Sequence, residues 1–187
     1  MPFDHFSLIA GLYNRTAKFN PPDLMLELLD LRPDEALLDA GGGTGRISQA
    51  LRKMVHKVVV VDVSRGMLRY AAAKDLAATC APAEHLPFPS RSFNRIIMVD
   101  ALHHVFNQSE TVSEFWRVLA PGGKIIIVEP DIHKLAVRIV AVGEKLLLMR
   151  SHFLSAEKIA ALLRNPGTQV RVIFAENDAW ICAERVR

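Results

Sequence analysis

The sequence predicts an α/β protein, a three-layer α/β/α sandwich on a mostly parallel seven-stranded sheet whose last strand is antiparallel. Short apolar runs rich in β-branched residues alternate with stretches of helical period. A glycine-rich turn follows the first of these runs, and two apolar runs near the end are separated only by Glu176-Asn177-Asp178. The alternation points to parallel strands with crossover helices, the glycine turn to a ligand site beyond a strand end, and the closing pair to antiparallel strands.

Residues 5–18 set Phe6, Ile9, Ala10, Tyr13 and Ala17 at helical spacing. A second helix opens at Asp23, with Pro22 in its first turn. Ala36 to Asp39 reads as a buried strand, Gly41 to Gly45 as a turn, and Arg46 to Met54 as a helix. Lys57 to Asp62 is apolar on both faces, as befits the middle of a parallel sheet. Ser64 is the cap of a helix running to Ala78, with a short strand near Thr79-Cys80-Ala81. Phe93 to Val99 is the next strand, Ser109 to Leu119 a helix that Pro121-Gly122-Gly123 ends, and Lys124 to Glu129 a further strand. Residues 132–150 are apolar with helical character, and Ser155 caps a helix to Leu163. Gln169 to Phe174 and Ala179 to Glu184 form the closing pair.

The 187 residues fit one domain with a full core. No apolar run reaches the roughly 20 residues of a membrane helix. Met1-Pro2-Phe3-Asp4-His5 is no secretory leader, and the isolated Cys80 and Cys182 suggest neither a disulfide framework nor a zinc site. A cytoplasmic protein is expected. The net charge of +3 is weak evidence for an anionic partner, and the basic residues are scattered, so no nucleic acid is expected.

Chemistry concentrates at Asp39-Ala40-Gly41-Gly42-Gly43-Thr44-Gly45. Glycines between a strand and a helix let backbone approach a ligand closely, and the helix start aims free N–H groups at it. Asp62 ends the next strand, 17 residues after Gly45, where a carboxylate can accept both hydroxyls of a ribose. Turn and acid together describe a nucleoside site in a Rossmann-like sheet. A dinucleotide fingerprint needs a third glycine where Arg46 stands, so an NAD-dependent oxidoreductase is improbable. Asp39 would repel a pyrophosphate but suits a cationic ligand such as adenosylmethionine, which carries an ammonium and a sulfonium.

Leu37 to Gly45 resembles the first motif of class I S-adenosylmethionine-dependent methyltransferases. Val61-Asp62-Val63-Ser64-Arg65-Gly66-Met67-Leu68 is similar to their second-strand motif, Ala83 to Phe88 with Ser92-Phe93 to the approach to strand four, and Arg117 to Lys124 to the turn before strand five. Together these resemble the UbiE-like, methyltransferase type 11 group over residues 5–130. The resemblance implies S-adenosylmethionine as cofactor and S-adenosylhomocysteine as product. It places Asp39 and Gly41 at the methionine end, with Gly43 and Gly45 shaping the turn. Asp62 would lie at the ribose, Val63, Met67, Ala83 and Glu84 around the adenine, Asp100 and Ala101 near the methionine, and Tyr13 in an N-terminal helical lid over residues 1–32. Residues 131–154 would form the substrate side. The family often has an acid where Pro82 stands, and Asp where Asn94 stands.

His103 and His104 follow strand four and are the candidate bases, since imidazole titrates near neutrality. Methyl transfer from a sulfonium needs little beyond alignment, so an acid–base pair is not required. Asp100-Ala101-Leu102-His103 does not match the turn of amino-directed nucleobase methyltransferases, and no Pro-Cys pair suits cytosine C5 chemistry. The two separate cysteines do not suit an arsenic methyltransferase. A small-molecule acceptor is the expectation, methylated at carbon or oxygen, with a quinone or lipid-like molecule suggested by the apolar Leu135 to Met149. No metal is expected. A non-catalytic cofactor-binding sensor or assembly partner is the alternative, and a homodimer is left open.

Overall fold

The computed structural model describes residues 21–133 and 152–186. The helix expected over 5–18, Tyr13 with it, and all but the first two residues of the helical segment expected over 132–150 lie outside the described residues. Seven strands form one sheet, β1 (Ala36–Ala40), β2 (Lys57–Asp62), β3 (Ala77–Cys80), β4 (Phe93–Val99), β5 (Leu119–Pro130), β6 (Thr168–Ala175) and β7 (Asp178–Arg185). Their order is β3-β2-β1-β4-β5-β7-β6. β1 to β5 pair in parallel, and β7 runs antiparallel to both β5 and β6.

Strand alternation divides the core into two layers. Leu38, Ile96, Met98, Ile125 and Ile127 face one side, where α4 (Gln108–Val118) and α5 (Ala156–Leu163) bring Phe115, Trp116, Ile159 and Leu163. Leu37, Ile97, Ile126 and Val128 face the other, against Met25, Leu28 and Leu29 of α1 (Asp23–Leu29) and Ile47 and Leu51 of α2 (Arg46–Leu51). Leu68 and Ala71 of α3 (Arg65–Ala72) pack on Val60 of β2. Central strands buried on both faces explain why their sequences read as unbroken apolar runs.

The ends of elements carry the differences from expectation. α2 stops at Leu51 rather than Met54. α3 stops at Ala72 rather than Ala78, because Asp75 turns the chain at φ 57° and Ala77 and Ala78 pair with Val59 and Val60. Alanines favour a helix in isolation, but the open edge of β2 offers them backbone partners. Pro22 is the residue before α1, not part of its first turn. Ser64 Oγ accepts the Met67 N–H as expected, whereas Ser155 precedes α5 without accepting an amide from it. Pro121-Gly122-Gly123 does not separate helix from strand. It sits within β5 as an irregularity, between the Leu119–Phe93 and Lys124–Arg95 pairings.

Asn94 also finds a physical role at the N-terminal end of β4. Its Oδ1 accepts the Ala36 N–H at 3.0 Å and so ties the start of β1 to β4. An aspartate oxygen would serve the same purpose.

Candidate functional site

The strand order reverses between β1 and β4, so the chain departs from their carboxyl ends in opposite directions and leaves a crevice. A cleft of about 1110 Å³ lies there. The end of β1 contributes Asp39, Gly41 and Gly43, and the end of β2 Asp62, Val63 and Met67. Ala83 and Glu84 come from beyond β3, and Asp100, Ala101 and His104 from beyond β4. Eleven of the residues singled out in the sequence therefore line one cavity. Gly45 and His103 do not line it.

Two glycines are held to their identity by close approach. Gly41 has φ 70°, and a Cβ there would lie 2.6 Å from the Cβ of Ala101. Neither atom belongs to a flexible side chain, so the turn after β1 and the loop after β4 can meet only at a glycine. Gly41→Ala is expected to cost about 1–3 kcal/mol of stability, as overpacking combined with a left-handed backbone does, with urea denaturation as the measure. Gly45, at φ 69°, packs beneath the turn instead. A Cβ on it would lie 2.5 Å from Leu76 Cδ1 and 3.1 Å from Ala71 Cβ.

Asp62 organises the turn from the side. Its Oδ2 accepts the Gly43 N–H at 2.9 Å, and its Oδ1 accepts the Ser64 N–H at 2.8 Å. Asp39 lies below the turn, 1% exposed, and Ser48 Oγ donates to its Oδ2 at 2.6 Å. Burial raises its pKa from 3.8 to about 6 against the lowering effect of the Ser48 bond, and the charge of Asp62 adds to the rise. A buried carboxylate without a paired cation is costly, and a cationic ligand in the cleft would relieve that cost.

Glu84 lines the cleft and also supports the loop after β4. Its Oε1 accepts the N–H groups of Phe106 and Asn107 at 2.7 and 3.1 Å, which braces the rim after β4. Phe106 is thereby held at the cleft mouth while 83% exposed. His103 is 2% exposed and turned inward, with Nδ1 2.5 Å from Glu129 Oε2. His104 is the histidine of the pair that reaches the cavity.

Several lining or supporting residues escaped the reading of the sequence. Glu129 was legible in principle, as an acid that ends the apolar run Ile125-Ile126-Ile127-Val128. Ser48, nine residues from Asp39, is ordinary helix sequence. His152 lines the cleft without belonging to any motif, and Arg46, read in the sequence only as standing in place of a third glycine, lines it too. Among the described residues no group of three or more His, Cys, Asp or Glu could hold a metal ion, and no helix is long and apolar enough to cross a membrane.

Residues 38–127 match the family model of a methyltransferase domain, methyltransferase type 11. The chain is 31% identical over 115 residues to the ubiquinone/menaquinone biosynthesis C-methyltransferase UbiE of Hydrogenovibrio crunogenus, an alignment covering 56% of this chain and 45% of that protein. It is 34% identical over 101 residues to the demethylmenaquinone methyltransferase of Corynebacterium urealyticum, covering 54% and 44%. The chain spans about half the length of the curated relatives it matches. In fold it superposes in full on a chain from the complex of the Haloferax volcanii Trm112 methyltransferase activator with a putative methyltransferase, at a TM-score of 0.83 and 16% identity. The matched region spans the glycine turn, Asp62 and the loop after β4, which together build most of the cleft, so the likeness of residues 38–127 to a methyltransferase domain lies in the residues that form the site.

Proposed function

We propose that the chain is an S-adenosylmethionine-dependent methyltransferase that methylates carbon or oxygen of a small-molecule acceptor. A quinone-type acceptor is the first class to test, because the matched relatives are named for ubiquinone, menaquinone and demethylmenaquinone. The observation that carries the reading is one cleft holding a buried acid at its floor and a second acid at the end of the neighbouring strand, with the glycine turn between them. The cleft fits the cofactor on the chain's own geometry. Gly43 leaves a cradle whose nearest atoms, Asp62 Oδ2 and Met67 Sδ, lie 3.9 Å from where its Cβ would be. At about 1110 Å³ the cavity exceeds the usual range for one small ligand, roughly 300–1,000 Å³, and leaves room for an acceptor beside a cofactor.

When bound, S-adenosylmethionine supplies a methyl group on a sulfonium that leaves as a thioether. The chain's work is then alignment and the exclusion of water. In this reading Asp62 receives the ribose hydroxyls, Met67, Val63 and Ala83 pack around the base, and Asp39 faces the ammonium across the turn. Gly41, Ala101 and Asp100 bound the methionine end. His104 stands where an acceptor proton can be taken.

Calorimetric titration of the purified protein tests this, with S-adenosylmethionine and S-adenosylhomocysteine as ligands and NAD as comparator. Micromolar affinity, about −8 kcal/mol, for the sulfur nucleosides and none for NAD is the expected result. Failure to bind either sulfur nucleoside overturns the proposal.

Asp39 makes the binding pH-dependent. Only its ionised form attracts an ammonium, so affinity is expected to fall about tenfold per pH unit once pH drops below about 6. Asp39→Asn should abolish this slope. The folding effect has the opposite sign, because a folded-state pKa above the unfolded value means that ionised Asp39 opposes folding. Its cost is absent below about pH 4 and complete above about 6, so the ligand-free Asp39→Asn protein should melt higher at neutral pH while binding cofactor more weakly.

A further inference from the structure

Glu129 ends β5 at 4% exposure, and three groups of the loop after β4 converge on it. Its Oε1 accepts the N–H groups of Ala101 and Leu102 at 3.0 and 2.8 Å. Its Oε2 faces His103 Nδ1 at 2.5 Å. The contact fixes the orientation of the ring whichever of the two atoms carries the shared proton. That orientation leaves Nε2 on the side of Asp100, 4.0 Å from its Oδ1.

The fixed ring in turn holds a distant part of the chain. Phe153 stacks on it, with centroids 4.2 Å apart and planes 14° from parallel. The His103 carbonyl accepts the His152 N–H at 2.7 Å. Gln108 Nε2 donates to Leu102 O at 3.1 Å and to His152 O at 2.7 Å. The chain returning from beyond β5 is thus tied at both backbone groups of His152 and at the ring of Phe153. The result is that His152 joins His104 and Phe106 in the lining of the cleft, on the loop side beyond β4 and apart from the nucleoside end at Asp62.

We propose that His152 is an acceptor-binding residue, presented to the cleft by a clasp in which Glu129, His103 and Gln108 act as positioning residues. Its imidazole meets an oxygen-bearing end of the acceptor, hydroxyl or carbonyl, while Phe106 covers an apolar part. The acceptor role rests on the methyltransferase reading above. The clasp itself does not.

Hydrogen exchange and kinetics on the same variants separate the two. With S-adenosylhomocysteine bound, His103→Ala, which removes the ring stacked on Phe153, and Gln108→Ala, which removes the donor to His152 O, should each speed exchange at residues 152–154 by about tenfold and leave β4 and β5 protected. Unchanged exchange in both folded variants overturns the clasp. With 1,4-naphthohydroquinone bearing a short prenyl tail as probe, wild-type protein should gain protection at 152–154. His152→Ala and Gln108→Ala should raise KM for the probe about tenfold, with kcat changing less and S-adenosylhomocysteine affinity within about twofold of wild type. His152→Gln, which keeps a hydrogen-bonding group, should recover part of the loss. No protection by the probe, or a wild-type KM in His152→Ala, overturns the acceptor role. Loss of S-adenosylhomocysteine binding in the wild type overturns the methyltransferase reading, and the acceptor role with it, while exchange at 152–154 still decides the clasp.

Discussion

Asp62→Ala is expected to weaken S-adenosylhomocysteine binding by about a hundredfold or more, the largest single effect on the cofactor. The Gly43 and Ser64 N–H groups fix the carboxylate plane at the end of β2. The same carboxylate is the proposed acceptor for the ribose diol. Alanine removes the proposed ribose contacts and also releases the Gly43 amide that shapes the turn, so two losses compound. Asp62→Asn retains one accepting oxygen and should fall between the two proteins. Calorimetry reads the affinity, and a thermal melt of the ligand-free variants separates lost contacts from a loosened turn. Affinity near wild type in Asp62→Ala would remove the nucleoside end from this part of the cleft.

Arg95→Ala should destabilise the fold by about 3–5 kcal/mol, the cost of breaking one side of a buried ion pair. Arg95 is 3% exposed at the N-terminal end of β4. Its Nε donates to Leu29 O at 2.5 Å and its Nη2 to Asp30 O at 2.9 Å, so it caps the end of α1. Its Nη1 lies 2.9 Å from Glu35 Oε1 and donates to Asn94 O at 3.0 Å. Alanine leaves the buried Glu35 carboxylate without its ion-pair partner and the carbonyls that end α1 without a donor. Arg95→Ala combined with Glu35→Gln should recover part of the loss, since it removes the stranded charge. Urea denaturation gives the difference, and a loss below about 1 kcal/mol would mean that water replaces the guanidinium. Cofactor affinity in the folded variant should remain near wild type, because Arg95 lies at the opposite end of β4 from the cleft.

The contrast between Arg95 and Asp62 also explains what was legible in the sequence. Strand positions in the middle of the sheet were legible because burial on both faces forces unbroken apolar runs, as in Val58-Val59-Val60-Val61 and Ile125-Ile126-Ile127-Val128. Asp39 and Asp62 stood out because each ends such a run beside a turn. Ends of elements were less legible, since they depend on what lies next in space. Ala77 and Ala78 joined a strand because β2 had a free edge, and nothing local in an alanine pair signals that. The same holds at the site. Glu84 lines the cleft, but its ties to the Phe106 and Asn107 amides, 22 and 23 residues away, have no local signal. His103 and His104 are neighbours in sequence, yet one turns to Glu129 and the other to the cavity, a division set by β5. His152 reaches the cleft through partners 44 or more residues earlier, and no spacing rule announces it.

The position of β7 bears on how the protein is made. β7 follows β6 in the chain but lies inside the sheet, between β6 and β5. As the polypeptide leaves the ribosome, β5 must therefore wait with one edge open until some fifty later residues have emerged and the β6–β7 hairpin can dock. The Ile125 to Val128 stretch is apolar, β-branched and uncharged, the composition that recruits foreign strands when its edge is bare. Nascent chains stalled before residue 178 should therefore be chaperone clients and aggregate on release, whereas chains that include β7 should not.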